Sequence, residues 1–166
     1  MWAKTILITL FVHILMWNET SKQSVREMYA KSVNNKQTAQ TLLQLLSKQD
    51  QTAFVMGYTG ATKMLMAKHV INPITKLNNF NAGKKLLNAA IAKDKTDVEL
   101  IFLRYATQIS APNILGYNNH IEADKKYIIQ YLNKKDKTDE KLTKTIVSFM
   151  KQQELTSAEK QLIESR

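Results

Sequence analysis

Arg104 and Gln108 lie four residues apart in the run FLRYATQIS, a spacing that places both on one face of a helix. A guanidinium is a permanent cation with a planar fork of donors, suited to carboxylate or phosphate. On a largely apolar helix it must find a counter-charge, because an isolated buried charge is very costly. Asp124 or Glu122, just beyond the connector APNILGYNNH, can supply that charge, leaving Gln108 to bond the connector backbone. Tyr117 and His120 belong to the same neighbourhood. Arg104, Gln108, Tyr117, His120 and Asp124 are therefore the candidate polar cluster. It reads first as a structural brace at a helix–loop–helix corner and second as a polar pocket for a small ligand or peptide.

Other chemistries find less support. His120 and Asp124 share a helix face while Glu122 points elsewhere, and no second His is close in sequence, so no metal is expected. The chain has no Cys, which removes thiol nucleophiles, Fe–S clusters and zinc-finger ligation. It carries no GxSxG and no HExxH, and Ser110 has no base within its own segment. No catalytic residue and no cofactor are expected.

A second candidate is electrostatic. The net charge is +10, and no acidic residue occurs between Asp50 and Asp94. Lys63, Lys68, Lys76, Lys84, Lys85 and Lys93 fill that interval, so the positive field is expected over the middle of the chain. Phosphates or anionic polymers of a cell envelope are the matching partners. Gly57-Tyr-Thr-Gly60 is no phosphate loop, and no recognition-helix or RGG-like pattern points to nucleic acid.

Helices must position these groups. With only four Gly and two Pro, the 166-residue chain lacks the turns of a many-stranded fold, and no stretch alternates convincingly with period two. Capping-box spacing at Ser24–Glu27, Thr96–Glu99, Asn119–Glu122 and Thr156–Glu159 predicts helix starts, as do Asp50 and the Asn72–Pro73 pair. Asn34–Asn35 separates the first two helices, the second running from about Lys36 to Lys48. The next helix runs to about His69, and Gly57, Gly60 and Ala61 form a smooth strip that invites close approach by a neighbour. The Asn72–Pro73 helix reaches about Ala92 with Ile74, Leu77, Phe80, Leu87 and Ile91 inward, and Asn78, Asn79, Asn81 and Gly83 as a place to bend. From Asp97 to Ser110 apolar residues cover most of the helix surface, and Pro112 and Gly116 then end and turn it. Two more helices are expected, from Thr138 to about Gln153 and from Thr156 to Glu164.

The N-terminal segment stands apart. Between Lys4 and Glu19 lies TILITLFVHILMW, whose thirteen residues would reach roughly 20 Å as helix, short of the ~30 Å hydrocarbon core. A short positive region before an apolar run of this length is the pattern of a secretory signal, although no A-x-A site follows. Residues 1–21 are read as signal peptide or hydrophobic segment, and 22–166 as a single helical domain. No further membrane span is expected. An exported domain without disulfides depends on its packed core, as suits a bacterial periplasm or envelope.

The block FLRYATQISAPNILGYNNHIEADKKYI, with Gly57-Tyr-Thr-Gly-Ala61 and Asn72–Pro73, resembles a family of uncharacterised exported proteins from Bacteroidota, over about Phe54 to Leu132. The resemblance implies a compartment and a lineage and carries over no catalytic residue. FNAGKKLLNAAIAKDKTDVELIFLRYATQ also resembles, loosely, the junction of two tetratricopeptide repeats, though the signature Trp and Pro positions are poorly filled. The expectation is an all-α chain of about seven helices in antiparallel hairpins, as a repeat-like array or a bundle. Its expected role is a non-enzymatic interaction or scaffold domain of a bacterial envelope, with a protein as first partner and an anionic envelope component as the alternative.

Overall fold

The computed structural model describes residues 22–134 and 138–166. These form eight helices and no strand. They are α1 (residues 22–32), α2 (Lys36–Leu46), α3 (Ala53–Met66), α4 (Pro73–Lys93), α5 (Val98–Ser110), α6 (Ile121–Asn133), α7 (Glu140–Met150) and α8 (Ser157–Glu164), with 3-10 turns at Ala67–His69 and Asn113–Leu115. The all-α expectation holds. The signal-peptide reading of residues 1–21 falls outside the described residues.

Most element boundaries follow from local chemistry. Asn35 Oδ1 accepts from the Thr38 N–H and starts α2, and Asn72 Oδ1 accepts from Ile74 and Thr75 and starts α4 at Pro73. Thr156 and Glu159 make the reciprocal capping box that opens α8. Five expected starts move. Ser24 lies inside α1, which is already helical at residue 22. Thr52, not Asp50, bonds the Val55 N–H at the start of α3. Asp97 rather than Thr96 caps α5, because Asp94 takes the Thr96 N–H and hydroxyl into its own turn. Glu99, assigned to a cap by its spacing, is instead buried. His120 rather than Asn119 precedes α6, without a side-chain cap bond. The α7 start and end contract to Glu140 and Met150, with Asp139 as cap.

The described residues divide into two compact units, residues 22–51 with 58–86, and residues 52–57 with 87–134 and 138–166. In the first unit Val25, Ala39, Leu42, Leu46, Tyr58 and Phe80 are buried, and Tyr29 meets Tyr58 edge-on at 5.5 Å between ring centroids. Gly83 lies against the backbone of α3, so that a Cβ there would stand 2.7 Å from Met64 N. The Asn78–Gly83 stretch does not interrupt α4, and its glycine is a place where the α3 backbone comes close. The first turns of α4 depart from expectation in another way. Residues 71–78 are all exposed, including Ile74 and Leu77, which the periodicity alone places inward. The periodicity is real, but buried neighbours begin only at Phe80.

In the second unit α5 is the central element. Eight of its thirteen residues are buried. Ile101, Phe102 and Tyr105 join Ile128, Leu132, Ile146 and Met150 in one apolar cluster, and Phe102 meets Phe149 edge-on at 5.2 Å. Bonds between α5 and α6 reverse direction along the chain. Tyr127 Oη donates to the Thr96 carbonyl, Asp124 holds Arg104, and the His120 N–H reaches Gln108. The two helices are therefore an antiparallel hairpin, with Pro112 and the left-handed Gly116 (φ 57°) in its connector. Lys125 pairs with Glu159 at 3.1 Å and Arg166 bonds the Asn133 carbonyl, which sets α8 parallel to α6.

Candidate functional site

At the closed end of the α5–α6 hairpin the polar cluster assembles as its spacing predicts. Arg104 projects from α5 towards the first turn of α6. Its Nε donates to Asp124 Oδ2 at 2.8 Å and its Nη2 to Oδ1 at 2.6 Å, a two-pronged guanidinium–carboxylate pair. The side chains are 14% and 3% exposed. Gln108 Nε2 donates to the same carboxylate at 3.1 Å, while Gln108 Oε1 accepts from the His120 backbone N–H at 3.0 Å. Gln108 thus ties the connector and the start of α6 to α5. That bond satisfies the N–H of the residue just before α6 from a side chain of the neighbouring helix. Glu122, the alternative partner, is exposed.

Tyr117 is buried beside the pair. Burial pushes its phenol up to about 12, with the Arg104 charge working against that shift and the Asp124 charge with it. This gives a testable pH dependence. Above the ordinary value of 10.0 the unfolded chain ionises this phenol while the folded chain keeps its proton. The folded state then binds more protons, so stability falls as pH rises from 10 towards 12. Ultraviolet titration is expected to show a tyrosine step near pH 12 that Tyr117→Phe removes. Survival of that step in the variant would disprove the assignment.

His120 joins the cluster through its backbone alone, and its residue is exposed. His69 belongs to the other unit, where Nε2 lies 2.8 Å from the Ser32 carbonyl. A carbonyl only accepts, so His69 carries its proton on Nε2. Among the described residues no three His, Asp or Glu side chains come together as a metal set.

The lysines do not form one stripe. Lys63, Lys68, Lys76, Lys84 and Lys85 lie in the first unit and Lys93 in the second. At about 100° per residue, Lys84 stands roughly 80° and Lys85 roughly 180° around α4 from Lys76. The positive field is therefore spread around the helix. The acid-free interval persists as a property of the surface, since Lys68, Lys76 and Lys85 are exposed.

One feature of α7 escaped the sequence reading. A shallow groove of about 270 Å³ is lined by Thr143, Lys144, Val147, Ser148, Lys151 and Arg166. Lys144, Ser148 and Lys151 follow the three-four spacing of a single face, which is a legible signal, but Arg166 arrives from the far end of α8. Lys144 is engaged with Glu140 at 2.7 Å in an exposed pair of little energetic weight. Comparison with family models, with curated proteins and with solved structures returns no match for this chain.

Proposed function

We propose that the chain is an exported, non-enzymatic helical interaction domain of a bacterial cell envelope. The observation that carries this is the exposed apolar row at the start of α4, where Ile71 is 96%, Ile74 69% and Leu77 48% exposed. Aliphatic residues grouped this way in water mark a contact surface. The Asn72 cap and Pro73 at the first helical position hold that row in a defined helix end. The Arg104 cluster supports the same reading, because its principal donors are engaged with Asp124 and the connector backbone and act as a brace. The resemblance over Phe54 to Leu132 and the signal-like N-terminal segment support export. No helix among the described residues is long and apolar enough to cross a membrane. A protein is the first partner on this reading.

A second reading, binding of anionic envelope components, is favoured by the absence of any acid between Asp50 and Asp94. Cell fractionation tests the proposal. The mature chain is expected in the envelope or periplasmic fraction, shortened by about 20 residues at its N-terminus. A photoreactive residue placed at position 74 should form adducts there that one at exposed Lys160 does not. A cytoplasmic chain retaining Met1, with no adduct at position 74, would overturn it.

A further inference from the structure

Large aliphatic side chains at the start of α4 stand in an acid-free, lysine-bearing stretch, and together these features define a partner. Residues 71–78 are exposed without interruption, so the first turns of α4 present Ile74 and Leu77, with Ile71 just ahead of the cap, outside any packed core. Lys68 precedes the tip and Lys76 lies within it, both exposed, and Lys85 follows on the outward side of the same helix. The Lys68 ammonium lies 3.5 Å from the Val33 carbonyl, a bond weak enough to leave the charge available at the surface. No carboxylate from Gln51 to Lys93 opposes this charge. We infer that the N-terminal tip of α4 docks on an anionic lipid surface, with Ile71, Ile74 and Leu77 entering the interfacial region and Lys68 and Lys76 meeting lipid phosphates.

Charge complementarity selects this occupant. A second copy of the chain would bring like charge against like charge at the same tip, whereas anionic headgroups neutralise it and the acyl boundary takes up the aliphatic groups. The spread of lysines around α4 suits a surface that surrounds the tip better than a single concave anion site. Asn72 and Pro73 fix the helix end before contact, so little ordering remains to oppose docking. The inference rests on the second reading above, binding of anionic envelope components, and names the surface that is bound.

Vesicle co-sedimentation of the full chain tests it, comparing phosphatidylcholine alone with phosphatidylcholine containing phosphatidylglycerol. The wild type is expected to sediment with the anionic vesicles and to be released by added salt. Ile71→Glu/Ile74→Glu should lower partitioning about tenfold or more, with unchanged thermal unfolding because both side chains are exposed. Lys68→Glu/Lys76→Glu should remove the preference for anionic over neutral lipid. Equal sedimentation of wild type and the isoleucine variant would place binding on another segment and overturn the inference. So would a wild type that ignores both vesicles, or one that dimerises through Ile71 and Ile74 in light scattering. An exported chain that cross-links a protein through position 74 yet ignores lipid would overturn this inference alone. Retention in the cytoplasm would instead remove the envelope reading.

Discussion

Arg104→Ala is expected to destabilise the second unit by about 3–5 kcal/mol, the cost of stranding one member of a buried ion pair. The deleted side chain supplies two charge-assisted bonds to Asp124, at 2.6 and 2.8 Å, and leaves a carboxylate that is only 3% exposed. Gln108 Nε2, at 3.1 Å, remains as a neutral donor and cannot replace a full positive charge. Asp124→Asn should cost less, because Arg104 is 14% exposed and its guanidinium retains a route to water. Arg104→Lys should recover only part of the loss, since an ammonium is a point charge without the fork. Replacing the pair together by Met and Leu should restore most of the stability if the pair is a brace, because apolar packing can stand in for a satisfied ion pair. Urea unfolding followed by circular dichroism, with hydrogen exchange at α5 and α6 amides, reads each variant. A soluble Arg104→Ala chain of unchanged stability would rule out the brace, and one that had also lost a binding partner would promote Arg104 to a functional residue.

The legibility of this cluster has a physical basis. An arginine inside an apolar helix demands a counter-charge, and a short connector limits which carboxylate can reach it. Spacing therefore narrowed the partner to Asp124 or Glu122, and burial separates the paired Asp124 from the exposed Glu122. Helix existence was legible for a similar reason, since the apolar rhythm of α5 and the scarcity of Gly and Pro leave few alternatives. Among polar residues at a boundary, a cap was legible where a second signal agreed with it, Pro73 for Asn72 and Glu159 for Thr156. Where two stood side by side, a residue outside the pair decided. Asp94 captured Thr96 and left Asp97 to cap α5, and Gln108 reached across from α5 to the His120 N–H. Periodicity identifies the face that Ile74 and Leu77 share with each other, but not whether anything covers it. The α7 groove depends on Arg166, which no local spacing connects to Lys144.

Gly83→Ala is expected to be net destabilising by about 1–3 kcal/mol, although the exchange removes a glycine from a helix interior. Helix propensity favours the substitution by roughly 1 kcal/mol. The added methyl would stand 2.7 Å from Met64 N, inside van der Waals contact, and would also crowd the Gly60 carbonyl. Backbone cannot rotate aside as a side chain does, so α3 and α4 must separate locally and surrender packing along the contact. Gly57→Ala provides the internal comparison. Its new methyl would meet Leu100 Cδ2, the far end of a side chain, with Ala90 Cβ at an ordinary 3.8 Å. Leu100 is fully buried, but its side-chain end can shift where backbone cannot, so the propensity gain should offset more of the strain than at Gly83. Thermal unfolding of the two variants should therefore separate clearly, with Gly83→Ala melting well below the wild type and Gly57→Ala closer to it. Equal melting temperatures would mean that α4 can withdraw from the α3 backbone at no cost. The close helix contact built on Gly83 would then contribute nothing to the stability of the first unit.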